Sequence, residues 1–115
     1  MKENIDYLQI SDDDLACLAQ DGDDSAMDIL LTKYKPFVMI RASKMYIAGG
    51  GRDDVVQEGM IGLFKAIRAY DFNRNIPFQA FASVCVMSQI KDAIRSASSN
   101  KQAALNDSIF TDDFP

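Results

Sequence analysis

From Asp53 to Ile67 the chain reads DDVVQEGMIGLFKAI, a run of strong helical periodicity with two glycines, Gly59 and Gly62, in its middle. Each glycine costs a helix interior ~1 kcal/mol relative to alanine. Val55, Val56, Leu63, Phe64 and Ile67 around them suit a packing helix face, and no turn signal accompanies them, so the helix is expected to run straight through. The lost propensity must then be offset by a neighbour that approaches this backbone more closely than alanine would allow. The chain is thereby confined to folds in which something comes very close to the backbone of this helix.

The other segments also read as helices, and strand signals are missing. Ser11 precedes DDDLACLAQ as an N-cap, with Asp14 three residues on, and DGDD at 21–24 punctuates before SAMDILLTKY. Met27, Leu30, Leu31 and Tyr34 recur at helical spacing. The pattern resumes after Pro36 with Phe37, Val38, Ala42, Met45 and Tyr46, which predicts a kink or break near Lys35. AGGGRDD at 48–54 is expected to end that helix, with Asp53 or Asp54 capping the next. YDFNRNIPF reads as a loop, and a long helix is predicted from about Phe78 to Ser98. The expectation is one all-α domain, a compact bundle of about four to five helices.

Composition narrows the chemistry. The 115 residues are 48% hydrophobic, enough for one modest core, and include no histidine, which removes the commonest general base and metal ligand. Cys17 and Cys85 form no CxxC pair and lie in apolar helical patterns, so both read as reduced core or near-core residues. DGDDSAMDILL lacks the alternating ligand spacing of an EF-hand, and GGGRDD lacks the Lys-Ser/Thr ending of a P-loop. No catalytic residue, metal site or cofactor is expected. Neither a signal peptide nor a membrane span is evident, which predicts an intracellular, cytoplasmic protein without membrane contact.

The net charge of −5 conceals two opposite regions. Residues 1–30 carry nine acids against one base, whereas residues 31–100 carry ten bases against five acids. A basic body thus follows an acidic start. Within that body RAYDFNRNIPFQAFASVCVMSQIKDAIR interleaves bases with aromatics, an arrangement that suits single-stranded nucleic acid: rings stack on bases while Lys and Arg neutralise phosphates. Tyr70, Phe72, Phe78 and Phe81 are the candidate rings, with Arg68 and Arg74 beside them. Phe78 and Phe81 are expected to pack into the core, Tyr70 and Phe72 to stand more open in the loop. On the last helix Ser88, Lys91, Asp92 and Arg95 share one face, a stripe that fits either a nucleic-acid groove or plain solvent.

Together these residues carry a resemblance. DDVVQEGMIGLFKAIRAYDFNRNIPFQAFASVCVMSQIKDAI resembles the second conserved domain of bacterial RNA polymerase sigma factors of the sigma-70 family, particularly the sporulation-type, sigma-H-like branch. The family signature is met by Asp54, Val55, Val56, Gln57, Glu58, Gly59, Ile61, Gly62, Leu63, Lys65 and Ala66, and its following element by Phe78, Phe81 and Ala82. The likeness extends upstream through DDDLACLAQDGDDSAMDILLTKYKPFV.

The resemblance implies a transcription initiation factor domain over residues 1–99, with 100–115 starting a linker toward an absent C-terminal helix-turn-helix domain. It implies docking on the clamp coiled coil of the polymerase largest subunit through Asp54, Gln57, Glu58, Met60 and Phe64. It also implies capture of the non-template strand of the promoter minus-ten element by Tyr70, Phe72, Arg74, Phe78 and Phe81, and recognition of that element's upstream edge by Ser88, Gln89, Lys91 and Arg95. Val84 and Cys85 stand where housekeeping members carry a tryptophan pair, so the wedge that supports strand separation is absent. The alternative reading is an interaction module of the same fold that binds polymerase or an anti-sigma factor without melting DNA.

Overall fold

The computed structural model describes residues 6–45, 47 and 50–106, and the side chains among them as far as residue 98. Four helices, α1 (Asp12–Gln20), α2 (Asp24–Ala42), α3 (Arg52–Ala69) and α4 (Phe78–Asn106), are joined by short connections, with single 3₁₀ turns at Tyr7–Gln9 and Phe72–Arg74. No strand occurs among the described residues. α4 continues past the expected Ser98 and through the first residues assigned to a linker. The remainder of that segment, 107–115, lies outside the described residues, as does Tyr46 of the apolar pattern.

α3 packs most extensively on α4, with α2 laid against α3 and α1 against α2. The two glycines explain how closely. A Cβ built on Gly62 would lie 2.8 Å from the carbonyl oxygen of Cys85 and 2.9 Å from Cα of Val86, both backbone atoms of α4. On Gly59 it would lie 2.5 Å from Cγ1 of Val38 on α2 and 3.3 Å from Cδ1 of Ile90 on α4. The neighbours anticipated from the sequence are thus α4 at one glycine and chiefly α2 at the other. Leu30, Val38, Val55, Leu63, Ile67, Val86 and Ile90 fill the core between them.

α2 shows no break at Pro36, and it ends before the glycines expected to stop it. It runs unbroken through Pro36, although an interior proline typically costs ~3 kcal/mol. Ala26, Leu30, Tyr34, Val38 and Ala42 recur every fourth residue and are all buried, so the halves on either side of the proline are held on one core. Thr32, whose carbonyl Pro36 cannot satisfy, is exposed to water. The helix ends at Ala42, before the glycines, where the Ser43 hydroxyl donates to the Ile40 carbonyl at 2.7 Å. Nor does Asp53 or Asp54 occupy the N-cap of α3. Gly51 does, and Asp54 reaches back from the first turn to accept its N–H at 3.2 Å.

The acidic start is a set of clips. Ser11 caps α1 as expected, its hydroxyl accepting from the Asp14 N–H at 3.1 Å. Asp23 caps α2, accepting from the Ala26 N–H at 3.1 Å and from the Tyr7 hydroxyl at 3.0 Å. Asp12 accepts from Lys33 and from the Tyr34 hydroxyl, and Asp13 accepts from the Phe78 N–H at the start of α4. At the end of α1, the Gln20 carboxamide donates at 2.8 Å to both the Ile67 and Tyr70 carbonyls, closing the C-terminus of α3. Cys17 and Cys85 are free and half-buried, and burial is the main cause pushing both thiols up.

Candidate functional site

Two exposed stripes lie on the closely packed pair. On α3 the stripe runs through Asp54, Gln57, Ile61, Phe64 and Arg68, alternating three and four residues as one helix face requires. It is acidic and polar at its start, apolar in its middle and basic at its end. Phe64 retains 46% of its surface and Ile61 38%, so the middle offers hydrocarbon to a partner. Met60 and Glu58 are half-buried at its margins. Of the five residues assigned to docking, Asp54, Gln57 and Phe64 are therefore open. Ile61 is open on the same face, four residues after Gln57 and three before Phe64.

The second stripe follows α4 through Phe81, Val84, Ser88, Lys91 and Arg95 at the same spacing. It begins at a recess of about 230 Å³ lined by Ala69, Tyr70, Asp71, Arg74, Ile76 and Phe81. It continues as a shallow groove of about 440 Å³ that includes Val84, Met87, Ser88, Lys91 and Arg95. Arg95 donates to Asp92 at 3.0 Å, and Arg74 stands 3.7 Å from Asp71. Both guanidiniums are largely exposed, so these pairs hold them only weakly. Val84 is 68% exposed.

The rings do not all stand where the loop assignment put them. Phe72 is exposed, as expected. Phe78 has no accessible surface, in line with the core role expected for it, and Phe81 is half-buried. Tyr70 is the correction: it is buried, its ring meeting Phe78 edge-on at 5.4 Å and its hydroxyl donating to the Ile76 carbonyl at 2.6 Å. Burial, then the charge of Asp13, push its phenol upward. The cause is visible in the spacing, because Leu63, Ala66, Ile67 and Tyr70 continue one buried face of α3 past its last turn. In this conformation Tyr70 lines the recess with Phe78 packed against its ring, and neither presents a free face for stacking.

Gln89 is likewise displaced from the stripe to which it was assigned. It is half-buried on the side of α4 that meets α3, where its carboxamide bonds Glu58 at 2.9 Å and Lys65 at 3.0 Å. Ser88, one residue earlier, is exposed. Nothing in a single-helix pattern marks that contact, since its partners lie on another element.

Residues 30–100, comprising most of α2, all of α3 and the greater part of α4, match the family model described as Sigma-70 region 2. The chain belongs to the Sigma-70 region 2 family. It is 39% identical over 106 residues to an RNA polymerase sigma-H factor of Bacillus licheniformis, covering 92% of this chain and 48% of that protein. To the RNA polymerase sigma-H factor of Bacillus subtilis (strain 168) it is 40% identical over 100 residues, 87% of this chain and 46% of that protein. An RNA polymerase sigma-E factor of Clostridium acetobutylicum is 31% identical over 90 residues, 78% of this chain and 38% of that protein. The chain spans about half the length of the sigma-H relatives it matches. Both stripes and the recess of this Sigma-70 region 2 chain fall inside the matched residues. Among the described residues no helix is long and apolar enough to cross a membrane.

Proposed function

We propose that this region acts in transcription initiation, docking on core RNA polymerase through the α3 stripe and holding the non-template strand of the promoter minus-ten element along the recess and the α4 stripe. The observation that carries the reading is the pair of exposed stripes within the family match, one mixed acidic and apolar, the other apolar at its start and polar and basic beyond. The first suits a helical protein partner, here the clamp coiled coil of the largest polymerase subunit, because Ile61 and Phe64 can be buried between polar rims. The second suits a strand of nucleic acid: Arg74, Lys91 and Arg95 can meet phosphates while Phe72 offers a ring. The activity is binding, without catalysis or cofactor, and it entails a cytoplasmic location beside the polymerase.

The burial of Tyr70 and Phe78 favours a second reading, a docking module that binds polymerase or an anti-sigma factor without capturing bases. Titration of the chain against a clamp coiled-coil fragment and against minus-ten non-template oligonucleotides, with scrambled oligonucleotides as control, tests both. Binding to the fragment together with preference for the minus-ten strand supports the first reading. Fragment binding with no strand preference selects the second.

A further inference from the structure

Gln89 joins the two helices at their closest approach. Its Cβ lies 2.9 Å from where a Cβ on Gly62 would stand, so the glycine is what lets this side chain lie down on α3. Both ends of its carboxamide are then engaged: Nε2 donates to Glu58 Oε1 at 2.9 Å, and Oε1 accepts from Lys65 Nζ at 3.0 Å. Glu58 and Lys65 are about two helical turns apart, and the amide spans them with its donor toward the acid and its acceptor toward the base. Glutamate at this position would face Glu58 with like charge, and a hydrocarbon would satisfy neither partner.

We propose that Gln89 is a positioning residue of the docking surface on α3, holding the Glu58 carboxylate and the Lys65 ammonium in fixed orientations at the edges of the exposed stripe, and that it does not read promoter DNA. The inference rests on the docking reading of α3 and adds to it the means by which the charges are held. A free glutamate or lysine must lose rotamer freedom when a partner binds it, whereas one already tied to a neighbour has lost much of that freedom on folding. The tie also leaves the second carboxylate oxygen of Glu58 able to accept from a partner. Beside it opens a recess of about 490 Å³ whose lining includes Asp54, Gln57, Glu58, Gln89 and Asp92 and, among the described residues, no basic one. That charge suits an arginine or lysine side chain of the docked helix.

The test is a double-mutant cycle on the whole chain, read by calorimetric titration with a polymerase clamp coiled-coil fragment and, separately, with a minus-ten non-template oligonucleotide. Gln89→Met keeps the side-chain volume and removes both hydrogen bonds. It should weaken fragment binding about fivefold to tenfold, the scale of one ordinary net hydrogen bond, and leave oligonucleotide affinity unchanged. In a Glu58→Ala background the same substitution should cost less than in the parent, since only the tie to Lys65 remains to be lost, and the Gln89 carboxamide proton resonances should move in Glu58→Ala alone. Parent-like fragment affinity of Gln89→Met, full additivity with Glu58→Ala, or a loss confined to the oligonucleotide would each overturn the positioning role while leaving docking intact. A parent chain that does not bind the fragment would overturn docking itself, and the role with it.

Discussion

Asp13 and Phe78 stand sixty-five residues apart, yet the carboxylate of the first accepts the backbone N–H of the second at 2.8 Å. Pro77 precedes Phe78 and has no side-chain acceptor with which to cap α4, so an aspartate from α1 supplies one. The negative charge also lies favourably at the N-terminus of the helix. Asp13→Ala should lower stability by ~1 kcal/mol, and Asp13→Asn, which keeps a carbonyl acceptor, by less. Thermal melts rank the two, and hydrogen exchange at Phe78 should quicken in both.

The two glycines should respond differently to repair of their surroundings. Gly62→Ala meets backbone atoms of α4 that cannot step aside, and overpacking of this kind typically costs ~1 to 3 kcal/mol, against ~1 kcal/mol of regained helix propensity. Gly59→Ala meets Cγ1 of Val38, an atom that can be deleted. Combined with Val38→Ala, Gly59→Ala should recover part of its lost melting temperature, whereas Gly62→Ala with the same second change should recover none. Equal recovery would place the tight approach at the wrong helix.

Tyr34 predicts a pH dependence. Burial, then its hydrogen bond to Asp12, hold the phenol well above its ordinary 10.0 in the folded chain. Above pH 10 the unfolded chain releases this proton while the folded chain keeps it. Fewer protons are then bound in the unfolded state, and stability must fall with rising pH. The contribution is fully present below pH 10 and is lost as pH climbs toward the folded value. Tyr34→Phe should flatten that alkaline decline, measured as denaturation midpoints from pH 9 upward, even though it lowers stability at neutral pH by removing the bond.

On the nucleic-acid side the variants should separate by salt dependence. Arg74→Ala and Lys91→Ala should each reduce affinity for a single-stranded minus-ten oligonucleotide and make the slope of log affinity against log salt shallower by ~0.7. Phe72→Ala should reduce affinity at every salt concentration and leave the slope unchanged. Tyr70→Phe should leave both alone and lower the melting temperature, because its hydroxyl serves the Ile76 carbonyl. A parent-like slope in both charge variants would remove these residues from any phosphate contact.

What could be read from the chain beforehand was local. The spacing of Gly59 and Gly62 among packing residues announced a close approach to that backbone, and Ser11 and the 21–24 segment announced their turns, because each signal sits within one or two turns of what it controls. No break forms at Pro36 for the complementary reason: a local penalty is overruled by five buried residues spread along α2. Asp13, Gln20 and Gln89 act on elements distant in sequence, which no pattern within a single helix registers. Tyr70 was a different kind of miss. Its place on the buried face of α3 was available from periodicity, and the neighbouring loop composition outweighed it.

The contact between Gly62 and the Cys85 carbonyl leaves no layer of side chain between α3 and α4 at that point. A layer of side chains behaves like a gasket, able to thicken, thin or shear as rotamers change. Here the interval is set by van der Waals radii of backbone atoms, so the pair works as a gauge. Outward-facing substitutions can re-letter either surface without altering the offset at which two visitors, one on each helix, would meet the protein. The two vocabularies are free to drift independently while the ruler between them keeps its length.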